Sequence, residues 1–242
     1  MQESLECNKD SLFRYFTLAV LGMACLAPPA GAGADTPPGV VDVIDFTDKA
    51  HGSAVEWLEE NGYDFRLDAK ALEPRFSEKG LVLSTDGATV GLIEKKIRLS
   101  DVGRVRVTWG VDEYPEGADW ENEVYRVPVA VMFSFGDEDI GSGSLVVPNM
   151  PYFISLFLSR NAEGDKGYTA EYYQKGGQYF CQPCNPAEGK TVTTQFDLAN
   201  AFRNQFDKSK VPPITTFGIQ MNTEDTRGGA RAFVERVEFI AR

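Results

Sequence analysis

Strict alternation of apolar and polar residues is the feature that most limits what this chain can fold into. Val105, Val107, Trp109 and Val111 fall on one side of an extended segment, with Arg104, Arg106 and Thr108 on the other. Val127, Val129, Val131, Phe133 and Phe135 repeat the pattern. A period of two is that of a strand with one face in a core, and the half-buried form belongs to antiparallel sheets. Tyr152 to Leu158 is apolar on both faces and is expected to lie centrally in a sheet. Further strands are predicted over 41–46, 80–84, 89–99, 168–174, 190–196, 214–221 and 231–240. Asp86-Gly87, between two of them, is a turn dipeptide and predicts a hairpin. Helical patterning is confined to Ala50–Asn61, closed by Gly62, and to Asp197–Phe206, with Asp197 as the cap. Many strands, turns rich in Gly, Asn and Asp, and few helices predict an all-β antiparallel sandwich.

The first 34 residues are set apart from that fold. Lys9 and Arg14 precede an apolar run from Phe13 to Leu26, and Ala32-Gly33-Ala34 has the A-x-A form of a cleavage site. Residues 1–34 therefore read as a signal peptide, 35–40 as a Pro/Gly linker, and 41–242 as a single sandwich domain. The apolar run is short for a membrane span and is broken by Pro28 and Pro29, so no membrane insertion is expected after cleavage. Cys25 follows Gly22-Met23-Ala24, a partial lipoprotein box without its usual Leu, which makes lipidation the weaker alternative. The expected location is periplasmic or secreted.

The formal charge of −12 argues against nucleic acid and against anionic lipid as the main partner, because both need a basic surface. Cleavage leaves Cys181 and Cys184 as the only cysteines, and an oxidising compartment makes a disulfide their default state. Their C-x-x-C spacing is that of redox sites. Such chemistry wants a helix N-terminus after the motif, whereas Asn185-Pro186 is loop composition, so a structural staple is the expectation.

Chemical motifs are sparse. His51 is the only histidine, which excludes zinc sites that need two, and its place beside Gly52 reads as a turn. No G-x-S-x-G elbow is present. Asp112, Glu113, Glu116, Asp119, Glu121 and Glu123 crowd one loop, and Asp137-Glu138-Asp139 another. Carboxylates in loops serve glycoside hydrolysis when two stand at a set separation, and they serve calcium as hard oxygen ligands. Neither the spacing of an EF-hand loop nor an E-x-D-x-x-E strand is found, so these read as solvated loops. No metal and no cofactor are expected.

Three stretches carry a resemblance: Val105 to Val111 with Tyr114-Pro115-Glu116-Gly117-Ala118-Asp119, then Tyr125 to Gly136, then Phe217 to Phe239 with Met221 to Gly229 at its start. In this order they resemble an uncharacterised family of bacterial exported proteins, a domain of unknown function, and more generally jelly-roll carbohydrate-binding modules. The resemblance implies a jelly-roll-like sandwich with one or two short helices and an envelope location, with no established activity. Glu121-Asn122-Glu123 stands where that family usually has an Asp-Asp pair. Tyr173-Gln174-Lys175-Gly176-Gly177-Gln178-Tyr179 also resembles the Y-F-K-A-G-x-Y strand of a jelly-roll alginate lyase family, in which a tyrosine moves a proton at the sugar ring. The companion Q-I-H motif is absent.

These readings converge on a non-catalytic sandwich that binds a glycan or another envelope ligand. The candidate ligand-binding residues are Tyr172, Tyr173, Lys175, Tyr179 and Trp120, where flat rings stack on sugar and polar groups meet hydroxyls. A polysaccharide-active lyase or glycosidase is the alternative from another class. A structural partner of another envelope protein is the third.

Overall fold

The computed structural model describes residues 39–164 and 166–242. The segment expected to be a signal peptide, with its expected cleavage site and Cys25, and most of the expected linker lie outside the described residues. In chain order the elements are β1 (Val40–Asp45), β2 (Gly52–Ser53), α1 (Val55–Glu60), β3 (Tyr63–Leu67), β4 (Arg75–Ser77), β5 (Gly80–Thr85), β6 (Val90–Leu99) and β7 (Val102–Glu113). They continue as β8 (Val127–Ile140), β9 (Met150–Leu158), β10 (Gly167–Tyr168), β11 (Gly177–Cys181), β12 (Lys190–Phe196), α2 (Leu198–Phe206), β13 (Ile214–Asn222) and β14 (Ala230–Ala241).

Two seven-stranded sheets result. The first runs β12-β7-β14-β5-β4-β2, with β1 also paired to β14; the second runs β10-β11-β9-β8-β13-β6-β3. They pack into a jelly-roll-like sandwich. The alternating residues of β7 (Val105, Val107, Trp109, Val111) are fully buried against Phe133, Ile154 and Phe217 of the second sheet. Phe133 meets Phe239 of β14 edge-to-face at 5.9 Å between centroids, joining the layers. Each such side chain contributes about 1.5–3 kcal/mol by leaving water. That burial explains why the alternating strands were the ones the sequence placed most securely.

Four local expectations change. Asp86-Gly87 does reverse the chain, but β5 and β6 do not pair: β5 joins β4 and β14, while β6 joins β3 and β13 in the other sheet. The buried Thr223 holds this crossing, accepting from Thr89 N at 2.9 Å and donating to Gly87 O at 2.7 Å. A turn dipeptide sets a reversal but not the partner of the strand that leaves it. The first helix is shorter than predicted, because Gly52 and Ser53 are extended and pair with β4. The strand expected over 168–174 ends at Tyr168, and Tyr173 takes a left-handed backbone (φ 61°) inside a turn. Finally, β11 lies parallel to β9, and the other strand pairs among the described residues are antiparallel.

Candidate functional site

Along β9, Ile154, Leu156 and Leu158 enter the main core. Phe153, Ser155 and Phe157 therefore face outward on the solvent side of the second sheet. An outer face of an antiparallel sheet is ordinarily polar. Here its β9–β11 side is aromatic, and loops fold over it. Trp120, in a short helical turn between β7 and β8, stacks on Phe157 at 4.0 Å and meets Tyr125, Tyr168 and Tyr179 at 5.1–5.5 Å. Phe153 lies edge-on to both Tyr173 and Tyr179, at 5.5 and 5.4 Å.

The structure thus brings three of the sequence candidates, Trp120, Tyr173 and Tyr179, into one ring cluster. Their exposures differ. Trp120 is only 4% exposed and its indole N–H donates to Arg126 O at 3.1 Å, so its ring is a packing surface and not a platform open to a ligand. Tyr179 is half-buried, and burial, then neighbouring Tyr173, push its phenol well above the usual tyrosine range. Tyr173 is half-buried and donates to Pro148 O at 2.8 Å, which fixes its ring against the loop between β8 and β9. Tyr172 is 39% exposed, and Lys175 is exposed beside it at the rim.

One residue at the centre of this face escaped the sequence reading. Ser155 pairs with Tyr179 on one side and Met132 on the other. It sits between Phe153 and Phe157 along its own strand, a small hydroxyl among four large side chains. It is 1% exposed, and among the described residues no group hydrogen-bonds its Oγ. Nor does any described residue hydrogen-bond the hydroxyl of Tyr179, its register partner on β11. The signal was present: Ser155 is the one polar residue inside Tyr152–Leu158. Beyond Met132 the same row continues through Gly218 to Glu94, whose carboxylate accepts from Arg66 Nε at 3.0 Å.

The crowded carboxylates are engaged elsewhere. Glu121 pairs with Lys166 at 2.6 Å and accepts from the Tyr168 hydroxyl, and these two partners, Lys166 first, hold its carboxyl below the usual range. Tyr168 in turn accepts from Glu163 N at 2.7 Å, so the group latches the Trp120 loop over the sheet. Asp112 pairs with Lys79, Glu116 lies 3.8 Å from Arg227, and Asp119 caps the turn at Glu121 N and Asn122 N. Among the described residues no three His, Cys, Asp or Glu side chains gather as a metal site. His51 lies in an exposed bend. Cys181 closes β11 fully buried in the ring cluster and is bonded to Cys184, and Asn185-Pro186 after the motif is not helical.

No family model matches this chain. Nor does any curated protein. Solved structures with a similar arrangement of strands include a metagenome-derived family 12 endoglucanase (12% identity, TM-score 0.41, covering 83% of this chain and 98% of that one). A β-1,3-glucanase from Mycobacterium marinum is similar at 13% identity and TM-score 0.38, over 84% and 99% of the two chains. The exoplasmic domain of VIP36, in a calcium- and mannose-oligosaccharide-bound form, is similar at 12% identity and TM-score 0.36, over 74% and 86%. Likeness at this level concerns the β-sandwich and carries nothing about the ligand of this chain.

Proposed function

We propose that this is an exported glycan-binding protein that takes its ligand on the solvent face of the second sheet, beside Tyr173 and Tyr179. The observation that carries the reading is the pair of unpartnered hydroxyls, Ser155 Oγ and Tyr179 OH, set among rings on a face that would otherwise be polar. A buried hydroxyl without a partner costs about 1–3 kcal/mol. Rings take the C–H faces of a sugar, and a recessed hydroxyl beside them gives one of its hydroxyls a partner. The exposed Tyr172 and Lys175 form the rim of this site. Of the loop carboxylates, Asp112, Glu116, Asp119 and Glu121 serve ion pairs and caps, which favours retention of a glycan over its cleavage.

The test incubates the purified protein with neutral and acidic polysaccharides and with peptidoglycan, scoring bound protein and released oligosaccharide together. Retention without release, weakened at least tenfold by Tyr173→Ala, is expected. Release of oligosaccharide would replace this reading with that of a polysaccharide-active enzyme. Retention of none of them would end the glycan reading and leave a protein partner in the envelope.

A further inference from the structure

A second surface, on the flank of the sandwich, has a different chemistry. Helix α2 leaves β12 at the edge of the first sheet and runs past β11 of the second. Between them lies a groove of about 210 Å³ lined by Phe180, Phe196, Asp197, Asn200, Asn204 and Gln205, among others. Its floor is aromatic: Phe180 and Phe196 lie 5.0 Å apart between centroids. Its helical wall follows the i, i+3, i+4 geometry of α2, which puts Asp197, Asn200, Asn204 and Gln205 on adjoining turns. At the far end the Gln178 and Gln205 side-chain oxygens converge on Gly167; a Cβ there would lie 3.1 and 3.4 Å from them.

The amides of this wall are uncommitted. Several asparagine side chains elsewhere are used internally: Asn61 donates to Trp57 O, Asn122 to Asp119, Asn161 to Ala118 O, and Asn149 accepts from Ser142 N. Among the described residues the side chains of Asn200, Asn204 and Gln205 have no hydrogen-bond partner. Three primary amides, each with two donors and an acceptor, thus line a ring-floored hollow. No lysine or arginine is among the lining residues, and the Asp197 carboxylate, which caps Asn200 N at 2.8 Å, disfavours an anion.

We propose that this groove is a second binding site, independent of the ring cluster, for one ring of a neutral sugar. Vicinal hydroxyls are donors and acceptors at once and match carboxamides, while the half-buried Phe196, with Phe180 buried beside it, takes the apolar face of the ring. The volume suits a single ring, and uncharged amides give no preference for uronic acids.

The experiment follows the side-chain NH₂ signals of the ¹⁵N-labelled protein during titration with maltotetraose, cellotetraose, mannotetraose and tetragalacturonate. At least one neutral probe is expected to move the Asn200, Asn204 and Gln205 signals saturably below about 20 mM, since one ring on such a patch should bind with a Kd of roughly 1 mM. Tetragalacturonate should not. Asn200→Ala with Asn204→Ala, both at exposed helix positions where alanine is well tolerated, should weaken that binding at least tenfold with the remaining spectrum unchanged. Ser155→Ala should leave it untouched even where it abolishes binding at the other face. The proposal fails if no neutral probe moves these signals, if the acidic probe moves them equally, or if the Gln205 signal, the one of the three that the double variant keeps, responds there as strongly as before. It fails also if Ser155→Ala abolishes the response, because the two sites would then be one.

Discussion

Replacing Ser155 by alanine is expected to stabilise the protein while weakening its binding, an unusual combination that follows from one atom. Ser155 Oγ is buried on the outer face of β9 with no partner among the described residues. In the unfolded chain it is hydrated, so folding strips a hydroxyl of water without replacing the bond. Removing it relieves about 1–2 kcal/mol, the lower part of the range for a buried unsatisfied polar group, since a little packing around the oxygen is lost too. For a domain of this size that corresponds to a rise in Tm of roughly 2–8 °C. Urea titration and thermal melting followed by circular dichroism measure it. The matched control is Ser159, one residue beyond the end of β9, which is equally buried but accepts from Asn161 N at 3.2 Å. Ser159→Ala strands that donor and should destabilise by about 1 kcal/mol. If Ser155→Ala lowers stability as Ser159→Ala does, its hydroxyl has a partner in the folded protein, and the argument that it awaits a ligand is refuted.

The other expectations concern the frame around the sites. Trp109→Phe removes the buried bond from the indole N–H to Thr194 Oγ1 (3.0 Å) that ties β7 to β12, and should cost about 1–3 kcal/mol by urea titration. Gly110→Ala should be worse, because a Cβ there would lie 2.4 Å from Lys190 O and from the Phe233 ring, so that the β7–β12 pair must part; loss of cooperative melting is the readout. Asp197→Ala removes the cap of α2 and should lower stability by about 1 kcal/mol, with a matching weakening at the amide groove. Burial raises the Tyr63, Tyr114 and Tyr179 phenols in the folded state. The unfolded chain therefore loses these protons first, near pH 10, and stability falls as pH rises above that point. Phenolate absorbance should accordingly develop in step with unfolding, and a phenolate signal from these residues in a still-folded protein would contradict it.

How much of this was legible in advance differs between core and site. The residues of β7 and β8 announced themselves by alternation, because burial of one face selects apolar residues at every second position whatever the partner strand. The cap at Asp197 was legible for a similar reason: its carboxylate answers a backbone donor three residues away, a purely local matter. The Trp120 case shows the opposite. An aromatic in an acidic loop reads as exposed, yet the latch from Glu121 to Lys166 and Tyr168 folds that loop onto Phe157, and those residues lie some 45 positions further along. Ser155 was visible only as a break in an apolar run; what surrounds it depends on β11 lying parallel beside β9.

By itself, then, the sequence determined most of the long strands, which faces of the alternating ones are apolar, and that two sheets must cover each other. Those are consequences of short-range periodicity and of the hydrophobic effect, which does not depend on direction or on the identity of the neighbour. Tertiary structure decided the pairing. It sent β5 and β6 from one turn into different sheets, set Tyr179 beside Ser155, and brought the amides of α2 against Phe180. Each of these joins residues far apart in the chain through directional hydrogen bonds and register, and a register is defined only when both strands are in place.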